Sequence, residues 1–174
     1  MAILLAAAAL AAEGCSGRAP RIGGDAAAER GGGVPADFAL AVTVLSPGRE
    51  GQPGPVRYVM EADWVLRAVL GPGVHEGVFP ARTRQLTRGE VERIWRGVSS
   101  TPLADPRSGR RVGAWDPDAM SGEREPVDRP VYLVFIAADG DRRLLAIDSG
   151  AAAETDVAAA RAVAETLAGL AWVK

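Results

Sequence analysis

Few residues in this sequence are suited to chemistry, and each can be weighed on its type and spacing. Cys15 is the single cysteine and His75 the single histidine. A nucleophile needs a base within hydrogen-bond reach, and a triad needs a third group to orient that base. His75 sits in GPGVHEG, directly after a turn, which reads as a solvated loop histidine. Structural zinc sites draw on several Cys and His ligands, and these two residues are the whole supply. No catalytic residue and no metal ligand is therefore assigned, and no cofactor is expected.

The acidic and basic clusters lead to the same place. Asp116, Asp118 and Glu123 gather with Gly122 in DPDAMSGERE, and hard cations such as calcium take carboxylate oxygens. Met120 stands where a third oxygen ligand belongs, Ser121 replaces the glycine of the tight turn, and the distal glutamate spacing is missing, so these read as solvated loop acids. Glu61 with Asp63, and Asp139 with Asp141, have the proximity of general acid and base pairs. Both pairs fall at expected hairpin tips, where short acidic side chains form turns. Arg82 and Arg84 in PARTR, with Arg110 and Arg111, have the chemistry to grip a phosphate or carboxylate by paired bonds. No interleaved aromatics accompany them, which favours a solvated face. Gly31, Gly32 and Gly33 lack the Lys and Ser or Thr of a phosphate-binding loop, and no strand precedes them. The 20 basic and 22 acidic residues leave a net charge of −2, so no overall field draws in nucleic acid. All the basic residues but Lys174 are arginines and asparagine is absent, a bias of GC-rich coding, so arginine abundance carries no site argument.

Cys15 has a more specific context. Residues 1–12 are wholly apolar, too short a run for a bilayer that needs roughly 20 helical residues but right for the core of a signal peptide. Glu13, Gly14 and Cys15 follow, which places the only thiol where a lipoprotein peptidase would cut. A lone cysteine forms no internal disulfide. Residues 1–14 are thus expected to be a lipoprotein-type signal peptide, with Cys15 the lipidated residue.

The elements that would position these groups follow from patterning. Residues 15–36 carry only Ile22 and Val34 as branched apolar side chains, too few to offset the entropy of ordering, and read as a flexible tether. A single domain is expected over 37–174. FALAVTVL at 38–45 reads as a strand; 56–61 and 65–70 read as a hairpin about residues 62–64, ended by Gly71-Pro72-Gly73. Thr87 and Glu90 form a capping box, Leu86 and Val91 a hydrophobic staple, and Val91, Ile94, Trp95 and Val98 recur at helical spacing up to residue 99. Residues 101–130, rich in Pro, Gly and charge, read as a long loop. Strands at 131–137 and 143–148 flank Asp139-Gly140, a strong hairpin signal. A last helix starts at Thr155 or Asp156, buries Val157, Ala160, Val163, Ala164 and Leu167, and ends near Gly169, with Trp172 and Val173 on the sheet. The order β-β-β-α-β-β-α predicts a two-layer α+β domain, an antiparallel sheet of about five strands with two helices on one face.

Taken together, the Cys15 signal, the tether, FALAVTVL, the hairpin EADWVLR and the helix start TRQLTR resemble the small envelope lipoproteins of unknown function found in GC-rich bacteria such as planctomycetes. That resemblance implies a membrane partner through lipid on Cys15, a periplasm-facing location and an envelope protein partner, and it carries no activity to any residue. The expected role is a binding or structural module; the alternatives are a small hydrolase using acids between Asp105 and Asp128, which predicts a concave acidic pocket, and an inhibitor or assembly module, which predicts an exposed apolar face or open strand edge.

Overall fold

The computed structural model describes residues 33–47, 54–111 and 128–172. The strand read from FALAVTVL is β1 (Ala39–Leu45), and it lies at the centre of the sheet. A strand apolar on both faces needs a neighbour on each side and a layer on each face. β1 pairs antiparallel with β2 (Val56–Met60) on one side and with β6 (Val131–Ala138) on the other. Beyond β2 come β3 (Val65–Leu70) and β4 (Arg82–Gln85); beyond β6 come β7 (Asp141–Asp148) and the two-residue β5 (Arg110–Arg111). The order across the sheet is β4-β3-β2-β1-β6-β7-β5, six strands of four or more residues and one short edge piece, all antiparallel. Two helices, α1 (Arg88–Ser99) and α2 (Glu154–Ala171), complete the α+β domain.

Alternation decides which face the helices cover. Leu40, Val42 and Val44 of β1, Tyr58 and Met60 of β2, and Val134 and Ile136 of β6 join Val91, Ile94 and Val98 of α1 and Val163 and Leu167 of α2 in one buried cluster. Both helices therefore lie on one face, as a two-layer arrangement requires. The expected turn signals work as read. Asp139 and Gly140 have φ of 53° and 76°, the positive pair that a two-residue hairpin turn needs to match strand twist. The Thr87 hydroxyl accepts from the Glu90 N–H while the Glu90 carboxylate accepts from the Thr87 N–H at 2.8 Å, closing the capping box. The β2–β3 turn closes on Trp64, which takes φ 67° and is held there by the Leu86 N–H donating to its carbonyl at 2.9 Å.

Four details differ from the sequence reading. RTRQ forms β4, although it has no apolar alternation, because its backbone completes the open edge of β3. The stretch expected as one loop over 101–130 contains a 3-10 turn at Pro102–Ala104 that buries Leu103, followed by β5. Gly109, with φ +78°, lets that segment press on β7; a Cβ there would stand 2.7 Å from the Leu144 carbonyl oxygen. Helix α2 begins at Glu154 with Ala153 as N-cap and no side-chain cap, and it runs through Gly169 to Ala171. Trp172 stays half exposed instead of packing wholly on the sheet.

Candidate functional site

The other face of the sheet has its own polar centre. Arg57 of β2 and Thr43 of β1 point away from the helices and are buried, and segment 71–81 crosses over them. The Arg57 guanidinium donates from Nε to the Val78 carbonyl at 2.8 Å and from Nη1 to the Thr43 hydroxyl. Burial pulls the Arg57 pKa down to about 10, and the nearby buried Glu76 opposes that shift. This cluster fastens segment 71–81 to the sheet. His75 belongs to that segment, where its Nδ1 accepts from the Gly77 N–H at 3.1 Å, so the only histidine serves a local turn. Phe79 of the same segment is exposed, with the Arg67 guanidinium 4.6 Å from its ring centre.

The other residues singled out from sequence are likewise absorbed by local structure. Asp63 Oδ1 accepts from the Val65 N–H, and Glu61 accepts from Arg67 Nε at 2.6 Å. Asp139 supplies the hairpin turn, and Asp141 pairs with Arg143 at 3.3 Å. Arg82 bonds Gln85, while Arg84 Nη2 sits 2.9 and 3.1 Å from the two Glu90 oxygens and its Nη1 reaches toward the Leu170 carbonyl. Arg84 thus ties β4 to both helices and is not presented to an anion. Asp105 accepts from the Arg107 N–H, and its carbonyl receives the buried Arg143. Cys15, Gly31, Gly32, and the loop acids Asp116, Asp118 and Glu123 lie outside the described residues, as do the side chains of Arg110 and Arg111. Among the described residues no group of three or more His, Cys, Asp or Glu side chains could hold a metal ion. No described helix is long and apolar enough to cross a membrane.

A concavity lies on the helix face, at the end of the sheet where β1 finishes and β2 and β6 begin. It is a cleft of about 330 Å³. Register places its floor: Val44 is opposite both Val56 and Tyr132, and Tyr58 is opposite Val42, so side chains of three adjacent strands share one end of one face. The far wall is α2, which contributes Arg161, Ala164, Glu165 and Ala168, the helical spacing i, i+3, i+4, i+7. Two of those four are alanines, whose small side chains leave room between the layers at this end. Pro130 and Ser149 complete the rim.

The two tyrosines of the chain both line this cleft. They are buried, yet their hydroxyls meet residues at the surface. Burial pushes the Tyr58 phenol above its ordinary pKa, with the nearby Trp172 indole opposing the shift. The nearby Tyr132 phenol, and after it Glu165, hold the Arg161 guanidinium above its usual pKa. The rings therefore form an apolar floor with polar tips at the rim. No histidine or cysteine joins them, so the cleft has the makings of recognition: apolar walls and a few placed polar groups. None of these residues was marked in the sequence as a site. The one available signal was that both tyrosines fall in strands on the core-facing phase, where a phenol needs a partner.

Comparison with known protein families and with curated proteins returns no match to this sequence.

Proposed function

We propose that this chain is a small-molecule-binding domain of the bacterial cell envelope, tethered to a membrane by lipid on Cys15 and binding its ligand in the cleft between α2 and the ends of β1, β2 and β6. One observation carries the binding role: the cleft is apolar-walled with few polar groups, which is the make-up of ligand sites in general. The hydrolase alternative places its acids between Asp105 and Asp128, most of them outside the described residues; this cleft, with one carboxylate beside a guanidinium, is a different site. The assembly alternative needs an exposed apolar face or an open strand edge; Phe79 is exposed but lies against the Arg67 guanidinium, while exposed Leu70 and the outer edge of β4 keep that reading as the second one.

The tether is supported by the apolar run at residues 1–12 followed by Cys15. A single acyl chain holds a protein only marginally, and the several chains of a lipoprotein hold it firmly, leaving the domain free to sample its ligand next to the membrane. The test is mass spectrometry on full-length protein expressed in a diderm bacterium and extracted from its membranes. Under denaturing conditions the expected mass begins at Cys15 and includes acyl chains, and Cys15→Ala abolishes both the modification and the membrane attachment. Under native conditions an additional small-molecule adduct is expected. An unmodified soluble chain would overturn the tether, and a native mass with no adduct would overturn the binding role.

A further inference from the structure

On the premise that the cleft is a binding site, its shape and charge decide which part of a ligand it holds. Register sets Tyr132, Val44, Val56 and Leu70 in one row across the adjacent strands β6, β1, β2 and β3. Alternation along β3 puts Leu70 on the helix-facing phase with the buried Leu66 and Ala68, yet Leu70 is 61% exposed. Neighbouring strands lie about 4.8 Å apart, so the row is about 14 Å long. Arg161 of α2 lies by Tyr132 of β6, and Trp172 at the end of α2 lies by Tyr58 of β2, so the helix runs along the row. Trp172 is one turn past Ala168 on the stripe that lines the cleft, and it is half exposed. From Arg161 to Trp172 a helix rises about 16 Å, close to the length of the row. Two of the three exposed large apolar side chains among the described residues, Leu70 and Trp172, thus prolong the cleft into an open apolar trough. Its charged residues, Arg161 and Glu165, are opposite in sign and one turn apart, which leaves the rim without net charge.

We infer that the trough holds a single hydrocarbon chain and selects it by length, without regard to the charge of its head group. With C–C bonds of about 1.5 Å, an all-trans chain advances about 1.3 Å per carbon, so about eleven carbons match the row. A head group at the Arg161 rim stays in water whichever sign it carries, and the tail runs over Val44 and Val56 to Leu70. Each methylene buried along the row adds a similar increment of affinity, and a tail that outruns Leu70 re-enters water and adds little.

The test is calorimetric titration of the full-length chain carrying Cys15→Ala with two series of probes, each below its micelle concentration. One series is sodium hexanoate, octanoate, decanoate and dodecanoate; the other is octyl-, decyl-, dodecyl- and tetradecyltrimethylammonium bromide. Affinity is expected to rise about fourfold per methylene up to the decyl compounds and to level off beyond dodecyl. Decanoate and decyltrimethylammonium are expected to agree within about fivefold, the ceiling for an exposed ion pair. Leu70→Ser shortens the trough at its exposed end and is expected to weaken dodecanoate about tenfold while leaving octanoate, which stops short of Leu70, unchanged. Ala168→Trp fills the cleft from a partly buried helix position and is expected to remove binding of both series. An affinity that ignores tail length, that climbs undiminished through tetradecyl, or that differs more than about fivefold between the two decyl head groups overturns the inference; loss of binding in Ala168→Trp would then still uphold the cleft. Sedimentation showing the parent to be a dimer that Leu70→Ser takes apart would make this face an interface between copies, and that also overturns the inference. If no probe binds the parent chain, the inference is overturned, and the native-mass adduct decides separately whether the cleft holds another ligand.

Discussion

Two polar side chains outside the cleft tie segments of the domain together. Arg57 is 4% exposed in the middle of the sheet, with buried Glu76 facing it from segment 71–81. Removing one of two opposite buried charges costs more than replacing both. Arg57→Met is therefore expected to cost about 3 kcal/mol in urea unfolding, and Arg57→Met with Glu76→Gln to recover most of that loss. An Arg57→Met protein as stable as the parent would contradict this account of the segment. Asp37 acts at the surface in a different way. Its carboxylate accepts from the Gly140 N–H at 2.7 Å and the Asp139 N–H at 2.8 Å, which ties the start of β1 to the β6–β7 turn. The Gly140 bond is the main reason its pKa lies below the ordinary 3.8. A folded-state value below the unfolded one means that the carboxylate stabilises the fold above the ordinary range and that this is lost as pH falls through the lowered value. Asp37→Ala should cost about 1 kcal/mol at neutral pH, and its gap from the parent should close as the pH drops below the carboxylate range. A gap independent of pH would place the effect elsewhere.

Among the elements, α1 was legible because its instructions are local. Thr87, Glu90, Leu86 and Val91 lie within six residues of one another, and the observed cap joins Thr87 to Glu90 in both directions. Thr87→Ala is expected to cost about 1 kcal/mol in thermal or urea unfolding, the usual worth of such a cap, with the fold retained. No loss at all would mean that the Arg84 to Glu90 ion pair holds this helix start unaided. The β6–β7 hairpin was legible for a similar reason, since Asp139-Gly140 selects its own turn. β4 was not. Arg82, Thr83, Arg84 and Gln85 have no periodic pattern, and the strand exists because β3 presents an open edge and because the Thr83 hydroxyl donates to the Leu66 carbonyl at 2.8 Å. The start of α2 was misplaced because Thr155 and Asp156 are good caps by type, whereas the chain enters the helix at the uncapped Ala153.

At the scale of the molecule, the layering followed from patterning and the site did not. Alternating strands and two amphipathic helices sufficed for a two-layer α+β domain. The cleft depends on strand order: Tyr58 and Tyr132 belong to strands distant in sequence and share a floor because β1 lies between β2 and β6. It also depends on which stripe of α2 overhangs that end, and in an alanine-rich helix neighbouring stripes look alike to a pattern reading. The described charged groups at turns, Glu61 with Asp63, Asp139 with Asp141 and Arg82 with Arg84, are turn and edge structure, while Asp116, Asp118 and Glu123 lie outside the described residues. The location of the ligand site is tested most directly by amide NMR of the full-length Cys15→Ala chain titrated with decanoate. Shifts confined to Tyr58, Leu70, Tyr132, Ser149 and the 161–172 turns of α2 are the predicted result. Shifts gathered instead around Arg57, His75 and Phe79 on the opposite face, or none at saturating decanoate, would contradict it.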